Sequence, residues 1–93
     1  MRTIYKYPFP IAGIGSIKVE MPRGAQILDV QKQGEKFYLW ALIDTDEVVM
    51  KPQGFTIIGT GQEIDKNATQ YWIKYWKTIQ DGAFVWHIFR PRD

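Results

Sequence analysis

The first residues whose pattern could do chemistry form a glycine-rich turn. Gly59, Thr60 and Gly61 directly follow residues 54–58, which have the composition of a β-strand. Backbone amides in such a turn can point toward one spot and bind an anion. The lysine and the helix that complete a nucleotide-binding P-loop are missing, so an ordinary turn is the alternative. If the ligand is a nucleotide, we expect these three residues to bind its phosphate.

Aromatic and basic residues alternate in a second candidate stretch. Trp72, Lys74 and Trp76 place flat rings on either side of a cation, and this combination suits stacking on nucleobases. Tyr38 and Trp40 form a similar pair elsewhere in the chain. The alternative is a packed face or an interface between subunits, where Trp and Tyr are also enriched. If the ligand is a nucleotide, we predict that Trp72 or Trp76 stacks on its base and that Lys74 supplies charge.

Other reactive side chains lack the neighbours that chemistry requires. His87 is the single histidine, and no serine or carboxylate stands at a predictable position beside it, whereas a catalytic base needs a positioned partner. Asp44, Asp46 and Glu47 share one turn, but the glycine and the distal glutamate of a calcium loop are missing. Cysteine is absent, so no thiolate metal site can form. We predict no catalytic residue, no metal site, no cofactor and a non-enzymatic function.

A C-terminal β-hairpin is the clearest structural element. Two runs rich in β-branched and aromatic residues flank Asp81-Gly82, a pair that favours a two-residue type I′ turn. This turn would place Trp76 opposite His87. Because side chains alternate between faces, the more apolar face is predicted to enter the core, and it contains Ile73, Tyr75, Lys77, Ile79, Phe84, Trp86 and Ile88. The other face, a packing or binding surface, holds Trp72, Lys74, Trp76, Thr78, Val85, His87 and Phe89.

Further strands are predicted upstream of this hairpin. Alternating apolar residues, separated by turn signals, predict strands at residues 2–7, 17–20, 25–32, 36–43, 48–50 and 54–58. Gln33-Gly34 or Gly34-Glu35 would close the hairpin between the third and the fourth of these strands. With the first of these loops, Val30 faces Phe37. The predicted core stripe of this hairpin is Leu28, Val30, Phe37, Leu39, Ala41 and Ile43.

Proline and polar residues mark two breaks in the pattern. Pro52 is expected to separate residues 48–50 from residues 54–58, because proline cannot donate to a strand ladder. Residues 62–69 are polar and predict a loop. One helical turn between residues 65 and 71 is an alternative.

Length and pattern together predict a single β domain over residues 1–93. The chain has room for one core. Six to eight short strands, with no long helical period, favour an all-β fold that is a small antiparallel barrel or sandwich. Successive hairpins favour a meander. Exposed sheet edges in so small a domain would be hidden by association, so we expect a homo-oligomer.

Charge and hydropathy exclude several classes of protein. A formal net charge of +2 is too small for a domain that grips duplex DNA mainly through its phosphates. No apolar run is long enough to cross a bilayer, and the N-terminus lacks the apolar core and the cleavage site of a signal peptide. We expect a cytoplasmic protein with no membrane partner.

Several stretches, taken in order, follow the pattern of a known family. They are residues 3–8 (TIYKYP), 24–31 (GAQILDVQ), 39–44 (LWALID), 58–61 (IGTG) and 85–89 (VWHIF). In these stretches the chain resembles a family of small β-rich proteins that are found mostly in bacteriophages and prophages and have no assigned function. It departs from that pattern in a longer segment at residues 10–16 and in a heavier, tryptophan-rich strand at residues 72–76.

The resemblance implies a phage accessory protein that acts in the cytoplasm of the host cell. Small phage proteins of this kind often bind and neutralise a component of host anti-phage defence, which is either a defence protein or a small nucleotide messenger. Two alternatives stay open. One is a β domain that binds single-stranded nucleic acid weakly through aromatic and basic residues, and the other is a structural or assembly protein of the phage.

Overall fold

Seven β-strands and one helical turn make up the structure, a computed structural model that describes residues 1–93. The strands are β1 (Arg2–Pro8), β2 (Gly15–Pro22), β3 (Gln26–Gln33), β4 (Lys36–Asp44), β5 (Met50–Gly59), β6 (Ile73–Asp81) and β7 (Phe84–Pro91). The helical turn is a π-helical one, Ala68–Trp72. No helix has both the length and the apolar character that a membrane span requires. The predicted all-β class is confirmed, and the number of strands lies within the predicted range.

The strands form two antiparallel sheets that do not close into a barrel. The three-stranded sheet has the order β1-β4-β3, and the four-stranded sheet has the order β2-β5-β7-β6. Of the two expected architectures, the structure therefore has the one with two sheets. The predicted meander is wrong, because β1, β2 and β5 each pair with a strand that does not directly follow them in the chain.

Two compact units divide the chain. The first contains Met1–Pro10 and Lys18–Gln53, and the second contains Ile11–Ile17 and Gly54–Asp93. The buried apolar residues of the first unit are Phe9, Val19, Met21, Val30, Phe37, Leu39, Ala41 and Ile43. Those of the second unit are Phe55, Ile57, Ile58, Ile79 and Ile88. The single domain expected over residues 1–93 stays a prediction.

The first hairpin, β3–β4, turns at Gly34-Glu35, which is the second of the two predicted loops. Gly34 has a φ of +64°, a conformation that glycine adopts without steric cost. Val30 pairs with Leu39, two residues beyond its predicted partner. A shift of two residues keeps every side chain on its predicted face, so the predicted core stripe is buried with one exception. A bulge at Leu28 leaves that side chain 41% exposed.

The second hairpin, β6–β7, forms where it was predicted, but its turn comes one residue later. Asp81 pairs with Phe84, so the two-residue loop is Gly82-Ala83 and not Asp81-Gly82. Gly82 has a φ of +59°, whereas Ala83 does not adopt a positive φ. A type I′ turn needs positive φ at both loop residues, and a type II′ turn needs it only at the first. The turn is therefore type II′.

A bulge in β6 changes which side chains share a face of this hairpin. His87 pairs with Thr78 and not with Trp76, again a two-residue shift that preserves the predicted faces. Between Tyr75 and Lys77 the register shifts by one residue and leaves Trp76 unpaired. Residues before the bulge consequently change faces. The predicted faces are correct on the turn side of Lys77 and wrong on the other side.

One predicted break does not occur. β5 runs without interruption from Met50 to Gly59, so the expected break at Pro52 is wrong. Pairing of β5 with β7 begins only at Thr56. Pro52 therefore removes no hydrogen bond from the ladder between β5 and β7.

Candidate functional site

A cavity of about 220 Å³ lies at the end of β5. Because β5, β7 and β6 are neighbours in one sheet, the glycine turn after β5 meets residues that come much later in the chain. The lining consists of Ile58, Gly59, Thr60, Gly61, Gln62, Ile64, Tyr75, His87 and Phe89. We call this space the hydroxyl cavity.

Four polar side chains form a continuous chain of hydrogen bonds beside this cavity. Thr60 Oγ1 lies 2.7 Å from His87 Nε2, and His87 Nδ1 lies 3.0 Å from Thr78 Oγ1. Thr78 Oγ1 in turn lies 2.8 Å from the Tyr75 hydroxyl. The two ends of this hydroxyl–imidazole chain, Thr60 and Tyr75, both line the cavity. A hydroxyl at each ring nitrogen fixes the orientation of the imidazole.

The bulge in β6 creates one end of the hydroxyl–imidazole chain. In a regular strand, residues three apart point to opposite faces. Trp76 is left out of the ladder, so Tyr75 and Thr78 lie on the same face and their hydroxyls can meet. Without the bulge, Tyr75 would point away from His87.

The glycine turn is stabilised by hydrogen bonds of its own. The Gln62 N–H donates to the Gly59 carbonyl at 3.1 Å, and the Gly59 N–H donates to the Gln62 side-chain carbonyl at 3.0 Å. The sequence located this turn correctly at the end of a strand. Because the Gly59 amide is engaged inside the turn, phosphate binding here would depend on Thr60 and Gly61, and it stays a prediction.

A second cavity, of about 480 Å³, shares the glycine turn. Its lining consists of Ile14, Gly59, Thr60, Ala83, Phe84, Val85 and Trp86, and we call it the aromatic cavity. The rings of Phe84 and Trp86 are stacked, with centroids 5.5 Å apart and an angle of 11° between their planes. Phe84 is 61% exposed. The pair therefore presents aromatic surface to solvent beside the turn.

Trp86 packs against the backbone of β5. It pairs with Gly59, and a Cβ at position 59 would lie 3.6 Å from Cζ3 of the indole. This is an ordinary van der Waals distance, so the ring leaves room for a methyl group at position 59. The Nε1 of Trp86 is buried and makes no hydrogen bond within the chain.

None of the three candidate residues Trp72, Lys74 and Trp76 lines the hydroxyl cavity or the aromatic cavity. Trp72 ends the π-helical turn and is 64% exposed. Lys74 is exposed on β6, whereas Trp76 is half-buried, with its ring centroid 5.8 Å from that of Phe55. These three residues do not form one stacking face together with the turn. Ligand binding by them stays a prediction.

Arg90 completes the cluster around Trp76. Its guanidinium lies 4.8 Å from the ring centroid of Phe55 and 5.9 Å from that of Trp76, within the range of cation–π attraction. Burial lowers the pKa of the Arg90 guanidinium, and the Asp93 carboxylate opposes this effect. The ring of Trp76 therefore belongs to a packed cluster with Phe55 and Arg90.

Sequence reasoning missed the residues that accompany the glycine turn. The expected turn places His87 opposite Trp76 and gives it no polar neighbour. The actual register places it opposite Thr78. Phe84 was assigned to the core, yet it is exposed. A turn starting at Gly82, as type II′ turns with a leading glycine do, was the signal that would have given the correct register.

Comparison with known proteins identifies a family but no activity. No curated protein matches the chain, and no solved structure matches it. One family model matches residues 1–93, and its description names no ligand, partner or reaction. The chain belongs to this family, which is described as a domain of unknown function, DUF7352.

Proposed function

We propose that this protein binds a small nucleotide without transforming it, and that the base of the ligand stacks in the aromatic cavity. The observation that carries this proposal is the stacked pair of an exposed Phe84 and a half-buried Trp86 beside Gly59 and Thr60. The stacking role that the sequence suggested for Trp72 or Trp76 thereby passes to rings that adjoin the glycine turn.

Stacking would provide most of the affinity. Each base stacked on an aromatic side chain contributes about 1–3 kcal/mol, and the contribution depends little on which base it is. A cavity of about 480 Å³ falls within the usual range of small-molecule sites, about 300–1,000 Å³.

The lining favours a nucleotide with little charge. The residues around the two cavities include no lysine and no arginine, whereas polyphosphates are usually held by such cations. Backbone amides of the glycine turn can hold one phosphate. A nucleoside monophosphate or a cyclic nucleotide therefore suits the site better than a nucleoside triphosphate.

Equilibrium binding to a panel of nucleosides and of linear and cyclic nucleotides tests the proposal, with tryptophan fluorescence as the readout. Phe84→Ala should weaken binding about tenfold or more. Tyr71→Ala is the matched control, since Tyr71 is 60% exposed and Phe84 is 61% exposed. Absence of binding across the panel, or equal affinity of Phe84→Ala and the wild type, would refute the proposed site.

The tryptophans predicted from the sequence need a test of their own. The double substitution Trp72→Ala/Trp76→Ala removes both rings that lie outside the cavities. If it abolishes binding in a protein that stays folded while Phe84→Ala does not, the base stacks on β6 and not in the aromatic cavity.

The biological setting is part of the proposal. It rests on the resemblance of five sequence stretches to phage and prophage proteins, whereas the family that matches the whole chain is of unknown function. In this setting the protein is a homo-oligomer in the cytoplasm of an infected host, where it sequesters a nucleotide messenger of anti-phage defence. Expression in a host with a nucleotide-signalling defence system should restore plaque formation by a phage that the system blocks. Restoration that persists in Phe84→Ala would point instead to a defence protein as the partner.

A second candidate function, binding of single-stranded nucleic acid, is favoured by the three-stranded sheet. Lys6 Nζ lies 4.1 Å from the ring centroid of Tyr38, and Lys6 pairs with Trp40 on β4. Paired residues share a sheet face, so two aromatic rings and a cation lie together. Binding to an oligonucleotide should weaken steeply with salt, whereas binding of a nucleotide in a cavity should not. A structural phage protein would instead form large oligomers that retain no small ligand.

A further inference from the structure

We infer that the hydroxyl cavity is a separate ligand site, which binds an oxyanion when His87 is protonated. Phe84 and Trp86 do not line this cavity, although Gly59 and Thr60 line both cavities. The site therefore does not depend on base stacking. The inference rests on the geometry of the hydroxyl–imidazole chain, whose two ends, Thr60 and Tyr75, both line the cavity.

With a neutral imidazole, the two ends of the chain differ in character. One ring nitrogen then donates and the other accepts. If Nδ1 carries the hydrogen, Thr60 donates to Nε2, Nδ1 donates to Thr78, and Thr78 donates to Tyr75. Tyr75 then presents a hydroxyl hydrogen to the cavity, whereas Thr60 presents only lone pairs. The other tautomer reverses every bond, so in both cases one end donates and the other accepts.

Protonation of the imidazole makes the two ends alike. Both ring nitrogens of His87 then donate, one to Thr60 and the other to Thr78. The Thr78 hydroxyl then donates a hydrogen bond to the Tyr75 oxygen. The hydroxyl hydrogens of Thr60 and Tyr75 are both left to point toward the cavity. Two hydroxyl donors with a positive charge behind them suit an oxyanion, because hydrogen bonds to charged acceptors are the stronger ones.

No other charged side chain lines the cavity beside the imidazole. The side chains that line the cavity together with His87 are Ile58, Thr60, Gln62, Ile64, Tyr75 and Phe89, and Thr78 contacts Nδ1 of the imidazole. Tyr75 is the one titratable group among them, and none carries a charge at neutral pH. Glu63 belongs to the same loop but does not line the cavity. An oxyanion there therefore meets no carboxylate in the lining.

The size of the cavity indicates a small ligand group. A volume of about 220 Å³ corresponds to about seven water molecules at roughly 30 Å³ each. It is smaller than most sites for drug-sized ligands. A carboxylate or a single phosphate group fits this description, and both present several acceptor oxygens to the two hydroxyls.

Sulfate is the appropriate probe, because its own charge is constant in the range where histidines titrate. Sulfate affinity should rise as the pH falls, by up to about tenfold per unit, in the range where the imidazole gains its proton. By reciprocity, sulfate should move the imidazole titration toward higher pH. His87 is the single histidine, so its NMR signals report this titration without interference.

Substitutions at the two ends of the chain give the structural test. Thr60→Val and Tyr75→Phe each remove one donor from the cavity, and each should weaken sulfate binding at pH 6 about tenfold. Thr56→Val is the matched control, since Thr56 lies on β5, the strand that leads into the glycine turn, and does not line the cavity. His87→Gln keeps a polar side chain but should abolish the dependence of binding on pH.

Three results would overturn the inference. They are equal sulfate affinity at pH 6 and pH 8, no sulfate binding at either pH, and unchanged affinity in both Thr60→Val and Tyr75→Phe. Phe84→Ala should leave sulfate binding intact. If nucleotide binding fails while sulfate binds as described, the stacking proposal is refuted and the oxyanion site stands.

Discussion

The hairpins β3–β4 and β6–β7 share a plan and differ in what their bulges do. Each turns through a two-residue loop that starts with glycine, Gly34 in the first and Gly82 in the second. Each also carries a bulge in its first strand. In β3 the bulged Leu28 is 41% exposed, whereas in β6 the bulged Trp76 is half-buried beside Phe55. A bulge thus exposes a side chain to solvent in the first hairpin, whereas in the second hairpin it packs a side chain against a neighbouring ring.

This difference shows how the candidate site arises from backbone geometry. The bulge at Trp76 re-aims Tyr75 onto the face of Thr78 and His87, as bulges beside functional sites often do. The Tyr75 end of the hydroxyl–imidazole chain exists because of that change of face. The first hairpin has no such rearrangement, and its strand β4 keeps a regular alternation of buried and half-buried residues from Phe37 to Ile43.

Substitution of the two bulged residues should give the largest contrast between the hairpins. Trp76→Ala removes the contact with Phe55 and with the Arg90 guanidinium, and we expect it to lower the free energy of unfolding by about 2–3 kcal/mol. Leu28→Ala should cost less than about 1 kcal/mol, because its side chain is already 41% exposed. Urea denaturation of both variants measures this difference. Equal losses would mean that Trp76 is not a packing residue.

Substitution of the two turn glycines should instead destabilise the two hairpins to a similar extent. Gly34 and Gly82 have φ values of +64° and +59°, where a Cβ is strained. Gly34→Ala and Gly82→Ala should each destabilise the protein by about 1 kcal/mol, as measured by thermal unfolding. Asparagine, which tolerates this conformation, is the control and should cost less. A clearly smaller loss for Gly82→Ala would argue against the type II′ turn.

The smallest expected effect is on the acid dependence of stability, and it involves Asp44 in the first unit. The Asp46 N–H donates to the carboxylate of Asp44, and this bond, together with the Met1 ammonium, lowers the pKa of Asp44. A lowered pKa in the folded state contributes stability above the ordinary aspartate pKa of about 3.9, and this stability is lost as the pH falls through the lower value. Melting temperatures between pH 2 and pH 5 should therefore fall less in Asp44→Asn than in the wild type. Parallel curves would contradict this role of Asp44.

The sequence predicts the faces of the hairpins better than their partners. In both hairpins the true pairing is shifted by two residues, and an even shift leaves the alternation of faces intact. Val30, Leu39, Ile79 and Ile88 are therefore buried as expected. The bulges at Leu28 and Trp76 have no local signal, because they depend on contacts with other strands.

Long-range pairing explains why the composition of the site escaped prediction. The glycine turn is local, and it was located from its residues alone. Its neighbours His87 and Tyr75 arrive through the pairing of β5 with β7 and of β7 with β6, which no turn signal specifies. Trp72 and Trp76 looked like partners of the turn because of their type, but type does not determine position in a sheet.

Native mass spectrometry tests the central claim most directly. The protein is purified without denaturing steps and exposed to a small-molecule extract of phage-infected bacterial cells. We predict a homo-oligomer with additional mass that matches a bound nucleotide, retained in Tyr71→Ala and lost in Phe84→Ala. A wild-type protein that stays bare, or a nucleotide that remains bound in Phe84→Ala, would contradict the account of the aromatic cavity.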